Sequence, residues 1–413
     1  MNLKKILKNT TIGITILSTL GIANISMASG DCAFAVGGSF TDLNIESAVT
    51  NAANAHTNLG YHSYYAKSAD YDTLNGYFSN GTRRLESDIL FFAGHGSSGS
   101  IVAAPGVGVC SYTGRSGFVY TGNINWANTK LVTIMGCYTG QETSQTYVNI
   151  AHDIFTRSGY KSTTLGWRNT IYDVDIVKWS NRYYTKLKEG KNLRDAIDYA
   201  NSYGSYHSDT IKDLAFYGAW DMTIKKSSNA RSLNSTYDIE DEGNSNLLKI
   251  KEDIYFTRDN PNIDLIVEKM KQLYPNFDIN NFEINIHKLS DTEEQFTIDF
   301  NYKIGEFYTN EGYVISIRDG KVYEITDNMN YAKKYDIQQE SVNKVDSYEE
   351  KAIIKDATQT LRKKKSELGN IEIVSQKVKY CIDRSKNEKS IEILTEYKLD
   401  DGSMGGTVYK KDL

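Results

Sequence analysis

Two short apolar runs constrain this chain more than any other feature. One is Ile89-Leu90-Phe91-Phe92-Ala93, ending in Gly94-His95-Gly96. The other is Leu131-Val132-Thr133-Ile134-Met135, ending in Gly136-Cys137-Tyr138-Thr139-Gly140. A continuous apolar run closed by glycine reads as a strand buried on both faces, as in parallel sheets covered by helices. Ligands of such sheets bind beyond the carboxyl ends of the strands. If these two strands are neighbours, His95 and Cys137 meet at one edge of the sheet.

The flanking pattern supports a sheet of this kind. Residues 32–36 form a first strand that closes on Gly37-Gly38, and Asp42 can cap a helix through Ile45, Ala48, Val49, Ala52 and Ala53. A strand over 61–66 and a helix over 70–85 precede the first apolar run. Residues 101–122, rich in glycine and aromatics, read as a surface hairpin or excursion. After the second run come a helix over 144–158 and a strand over 162–166. Helices over 174–187 and 193–203 and a strand over 214–217 complete the series. Repeated βα units predict an α/β fold, a mainly parallel sheet with helices on both faces.

The start of the chain reads as an export signal over 1–28. Lys4, Lys5 and Lys8 precede an apolar stretch over 12–25, and Ser26-Met27-Ala28 supplies small residues for cleavage after Ala28. The stretch is short for a bilayer span and no second one follows, so a secreted protein with no stable membrane anchor is expected. A net charge of −5 gives no pull toward nucleic acid. The four cysteines, Cys32, Cys110, Cys137 and Cys381, have spacings unlike a disulfide scaffold or a zinc site. Cys32 with Cys110, both in the first half, is the one pairing to entertain, and Cys381 reads as a small packed residue. His56, His62, His152, His207 and His287 have no metal partner at a usual spacing, and no aspartate-rich calcium loop occurs. Neither a metal nor another cofactor is expected.

The organisation read from these patterns is 1–28 signal, 29–228 sheet domain, 229–247 polar linker and 248–413 a smaller α+β region. That last region shows a weak repeat: helix 263–274 with strands 282–286, 295–304 and 313–318, then helix 351–368 with strands 371–374, 377–382, 390–397 and 406–409. A helix followed by an antiparallel meander, twice, is the simplest reading. It shows no catalytic constellation and could inhibit, assist folding, bind a surface or stabilise.

A thiol beside an imidazole in a glycine-rich crevice is equipped for acyl transfer. An apolar run with His-Gly, followed about forty residues later by an apolar run with Cys, resembles the caspase-like cysteine peptidases. Within that group the chain is most similar to the CHAT peptidases related to separase. Phe92-Ala93-Gly94-His95-Gly96 resembles their His block, and Gly136-Cys137-Tyr138-Thr139-Gly140 their Cys-x-Thr-Gly block. Thr164-Leu165-Gly166-Trp167, then Asp173, then 179–190 with Tyr183, Tyr184, Leu187 and Gly190, and 193–201, resemble the tail of that domain. The likeness covers about 31–224 and nothing beyond.

The resemblance implies Cys137 as nucleophile, placed just before a helix whose N-terminus favours the thiolate. It implies His95 as base or acid, and the N–H groups of Gly96 and Cys137 as oxyanion donors. It places Trp167, Arg168, Asp173 and Asp175 around the pocket for the side chain before the scissile bond. A buried Asp there selects Arg or Lys. Asp173 is the better candidate, while Arg168 stands where similar chains often carry an acid. The expected protein is a secreted cysteine endopeptidase acting on protein or peptide substrates, with a preference for basic residues. The stretch 225–246 reads first as a plain solvated linker; self-processing at Lys225, Lys226 or Arg231 and intramolecular inhibition by 248–413 are the further readings this specificity allows. The alternatives are an exported binding protein that kept the sheet without activity, and a transpeptidase using the same pair.

Overall fold

The computed structural model describes residues 31–38, 40–67, 69–143, 148–224, 246–248, 256–289, 294–329, 344–364, 370–384 and 386–413. The expected export signal and 229–245 of the expected linker lie outside these residues. Among the described residues no helix is long and apolar enough to cross a membrane.

The first half contains β1 (Cys32–Gly37), α1 (Glu46–Asn58), β2 (His62–Ala66), α2 (Tyr71–Asn75), β3 (Ile89–Ala93), β4 (His95–Ser97), β5 (Ser100–Ala104), β6 (Val107–Cys110) and β7 (Phe118–Tyr120). It continues with β8 (Leu131–Met135), α3 (Ile150–Arg157), β9 (Thr163–Trp167), α4 (Asp173–Lys188), α5 (Leu193–Asn201) and β10 (Leu214–Tyr217). Six strands form one sheet in the order β10-β9-β8-β3-β1-β2, parallel throughout except for β10 against β9. Successive side chains of a strand point to opposite faces. Accordingly Ala33, Ala35, Phe91 and Met135 pack with α1, α4 and α5, while Phe34, Leu90, Phe92, Val132 and Ile134 pack with α2, α3 and β5. Covered on both faces, the central strands β1, β3 and β8 are apolar at every position but one, Thr133, which is buried.

Several local expectations fail for identifiable reasons. The helix expected over 70–85 ends at Asn75. Gly76 follows it, and Tyr77 bridges Arg83 across the Asn80-Gly81 turn; Asp70 still caps, accepting from the Thr73 N–H at 2.6 Å. The excursion over 101–122 is no surface hairpin: Ile101, Ala103, Val109 and Val119 are buried in the core on the second sheet face. Asp42 does not cap α1, whose N-cap is Ile45 with no side-chain hydrogen bond. The helix expected from 144 is Ile150–Arg157, capped by Asn149 accepting from the His152 N–H at 2.8 Å. Cys32 and Cys110 form no disulfide. The Cys110 thiol donates to the Tyr112 carbonyl (3.0 Å), and the Cys32 sulfur accepts from Asn80 Nδ2 (3.3 Å).

The second half contains β11 (Asn246–Leu248), α6 (Ile263–Leu273), β12 (Phe282–Lys288), β13 (Phe296–Ile304), β14 (Phe307–Arg318), β15 (Lys321–Asp327), α7 (Ser347–Lys364), β16 (Ile371–Asp383), β17 (Glu388–Leu399) and β18 (Met404–Asp412). Strands 371–374 and 377–382 are one strand, β16, with a register shift between Ile373 and Ser375. β15 has no counterpart in the sequence reading. The two regions are also less separate than expected. A second, largely antiparallel sheet runs β11-β15-β14-β16-β17-β18-β4-β5-β6-β7, with β13 also paired to β14 and β12 to β13. The protein is therefore α/β with mixed sheets. The join is made where Met404 of β18 pairs with Gly96 of β4, because β4 otherwise leaves a backbone edge open.

Buried ion pairs line the contact between the halves. Arg318 lies between Asp198 and Asp195 of α5, with both terminal nitrogens 3.2 Å from Asp195 Oδ1. Lys212 is fully buried against Asp299. Such pairs specify a docking geometry more than they add stability.

One buried group sets an acid limit. His56 in α1 is fully enclosed, with Nε2 3.0 Å from the Tyr184 hydroxyl, and burial lowers it from 6.5 to about 3. It stays neutral when folded and takes up a proton on unfolding, so its contribution is complete above pH 6.5 and is lost as pH falls from there toward 3. Urea titrations should show stability falling by about 1.4 kcal/mol per pH unit from this group between pH 6 and 4. His56→Gln, which does not titrate, should flatten that slope by one proton.

Candidate active site

The parallel register of β3 and β8 pairs Ala93 with Met135. His95 and Cys137 each follow two residues later, so the two ends emerge side by side. Gly96 then packs on the Cys137 turn: a Cβ there would stand 2.7 Å from the Cys137 backbone nitrogen and closer still to its carbonyl oxygen. Only glycine allows β4 to approach so closely. The structure thus brings together three of the residues singled out from sequence, His95, Gly96 and Cys137.

The turn after Cys137 replaces the helix N-terminus expected there. The hydroxyl of Thr139 donates toward the Ile134 and Gly136 carbonyls (3.0 and 2.9 Å) and accepts from the Trp167 N–H (3.2 Å). Tyr138 takes φ +62°, a left-handed conformation uncommon outside glycine. Its N–H donates to the Asn169 carbonyl at 3.2 Å, and its hydroxyl accepts from Thr170 Oγ1 at 3.0 Å. The thiol of Cys137 lies 3.6 Å from the Ile171 carbonyl oxygen, to which it donates.

Asp42 was missed as a site residue. Its Oδ2 is 2.8 Å from His95 Nε2, both side chains being completely buried. The pair is at ion-pair distance. The imidazole is held edge-on between Phe40 (4.7 Å between centroids) and Tyr397 (5.8 Å). With Nε2 toward Asp42, Nδ1 is the nitrogen left on the cleft side. Tyr397 donates its hydroxyl to the same Asp42 Oδ2 at 2.6 Å. Burial first, and then Asp42, push Tyr397 well above the usual phenol range, which keeps it a donor.

The four residues expected around a substrate pocket are placed differently from one another. Trp167 is wholly in the core, its Nε1 donating to the Ile211 carbonyl (2.7 Å) and its ring edge-on to Trp179. The Arg168 backbone N–H donates to the Asp213 carbonyl at 3.1 Å. Asp173 opens α4 and accepts from the N–H groups of Asn44 (3.0 Å) and Val174 (2.9 Å), tying down the loop that carries Asp42. Asp175 accepts from the N–H groups of His207 and Ser208, each at 2.9 Å, and its Oδ1 lies 3.1 Å from His207 Nδ1.

Two other nucleophiles or ligand groups are accounted for by their surroundings. Burial raises the Cys381 thiol to about 12, an inert value. Asp209, His287 and Asp299 hold ligand atoms within 4.8 Å of one another, a grouping the sequence spacing concealed. The ammonium of Lys212 already sits against Asp299 and 3.5 Å from Asp209 Oδ1. Burial alone would lower that lysine, yet the two aspartates outweigh it and hold it above its usual value. The cation this cluster calls for is therefore supplied by the chain.

No protein-family profile matches this chain, and no curated protein matches it either.

Thr139 ties three backbone groups with one oxygen. Thr139→Val should cost about 1–3 kcal/mol in urea unfolding, because the buried Trp167 N–H loses its acceptor. Thr139→Ser, which keeps the oxygen, should stay within about 1 kcal/mol of wild type.

Proposed function

We propose that the protein is a cysteine endopeptidase of the caspase-like type, with Cys137 as nucleophile and His95 as proton carrier. The observation that carries this reading is the register that brings the ends of β3 and β8 out side by side, with Gly96 packed on the Cys137 backbone. The Asp42 carboxylate behind the imidazole adds to it. Export ahead of residue 29 belongs to the same proposal.

The chemistry follows from these groups. The Cys137 thiol gives its proton to His95, and the sulfur attacks the carbonyl carbon of the peptide bond. The resulting oxyanion is met by the N–H groups of Gly96 and Cys137. His95 returns the proton to the leaving amine as the C–N bond breaks, giving a thioester. Water then attacks the thioester, with His95 taking its proton, and the acid is released with the thiol restored. Asp42 acts through His95 as a positioning residue, orienting the ring and stabilising its protonated form. Both oxygens of Asp173 accept a backbone N–H, from Asn44 and Val174. A preference for Arg or Lys before the scissile bond is therefore read from substrates.

The test is a panel of fluorogenic peptides with Arg, Lys, Asp, Leu or Ala before the leaving group. Wild type, Cys137→Ala, His95→Ala and Asp42→Asn are each assayed alone and combined with Gly405→Val, a substitution that crowds the hairpin lying over His95. Cys137→Ala and His95→Ala should fall to the blank rate. Asp42→Asn should lower kcat by about 10²-fold or more with KM little changed. Cleavage that survives Cys137→Ala would sink the reading.

A further inference from the structure

We propose that the β17–β18 hairpin is a built-in occupant of the cleft and holds the Cys137–His95 pair closed until it is displaced. The inference rests on the reading of that pair as reactive, and it names how the site is regulated.

The hairpin passes between the two walls of the cleft. On one wall Met404 pairs with Gly96. Gly405 lies against His95, so that a Cβ there would stand 2.6 Å from Nδ1, the nitrogen on the cleft side. On the other wall Gly406 lies against the segment after β9: a Cβ would meet Thr170 Cγ2 at 2.7 Å and the Ile171 carbonyl at 2.9 Å. Ile171 is also the residue whose carbonyl receives the Cys137 thiol. An added strand lying on an open sheet edge is how extended peptides are commonly held. Here the chain supplies that strand itself. With it in place His95 is 0% and Cys137 2% exposed.

Glycine is a poor strand former, and a pair of them inside a strand marks a place where another backbone comes close. Gly405-Gly406 offers no side chain to a pocket, so it fills the cleft without presenting a recognition element. Tyr397, on the partner strand β17, stacks edge-on against His95 and donates to Asp42 Oδ2, the same oxygen that faces the imidazole. Away from the cleft, the turn of the hairpin is anchored by Asp401, whose Oδ2 is 2.7 Å from Arg115 Nη2. Glu392 lies 3.4 Å from His207 Nε2. These outer holds are polar, the kind of contact that opens without unfolding either side.

The experiment reads accessibility and turnover separately in the full-length chain. Cys137 alkylation by iodoacetamide is followed by peptide mapping in wild type, Gly405→Val and Tyr397→Phe, with the buried Cys110 as an internal control of folding. Both variants should label Cys137 about tenfold faster than wild type or more: Tyr397→Phe loses a buried hydrogen bond worth about that order, and Gly405→Val places a side chain where Tyr397 and His95 leave no room. Cys110 should remain protected. The same proteins are run on the peptide panel. Faster labelling with new hydrolysis supports the proposal. Faster labelling without hydrolysis also supports the closure and sinks the peptidase reading instead. Equal labelling of Cys137 in all three proteins overturns the closure, whether or not peptides are cut. If Gly405→Val exposes Cys110 as well, it has unfolded, and Tyr397→Phe decides by the same criteria.

Discussion

The parallel pairing of β3 with β8 sets the position of every group in the cleft. Register along a strand is strongly specified when both faces are buried, because a slip of one residue would turn each side chain to the wrong face. With Ala93 opposite Met135, both chains leave the sheet at the same level. His95 and Gly96 then have no room except against the Cys137 turn. That turn holds its shape through one hydroxyl, Thr139, bound at once to β8 and β9. The motif residues are thus explained by the backbone they serve. Gly96 permits close approach, Thr139 ties a turn, and the reactive side chains ride on what those two hold in place.

A second dependence runs outward from the cleft. β4 follows β3 after one residue, Gly94, and belongs to the other sheet. Its outer edge is taken by β18, so the region after residue 246 is wired directly into the site instead of hanging from a linker. Buried pairs at Arg318–Asp198 and Lys212–Asp299 fix how the halves dock. The proposed closure by β17–β18 follows from that docking. A strand held on one side by Gly96 and on the other by Thr170 and Ile171 has to cross in front of His95.

Much of the sheet was legible because continuous apolar runs report burial directly. β1, β3, β8 and β9 are where the patterns placed them, within a residue or two at their ends. The misses share a cause. Asp42 precedes a helix at a distance that suits a cap, and local propensity says nothing of a histidine 53 positions later whose ring it faces. Tyr397 carries no signal at all, since its role depends on a strand from the other end of the chain. The 101–122 segment looked exposed for its glycines, yet Ile101, Ala103 and Val109 alternate inward against the sheet. Its burial is decided by what it folds under.

By itself the sequence determined which stretches had to be buried strands and which reactive residues stand at their ends. Those features depend only on side-chain hydrophobicity and on the period of a strand. The tertiary structure alone decided that His95 is backed by Asp42 and that Cys137 sits in a hydroxyl-tied turn instead of before a helix. It alone also decided that a hairpin from the last thirty residues lies over both. Each of these is a contact between segments distant in sequence, made by the register of strands and the docking of two halves. No pattern of neighbours along the chain encodes such a meeting.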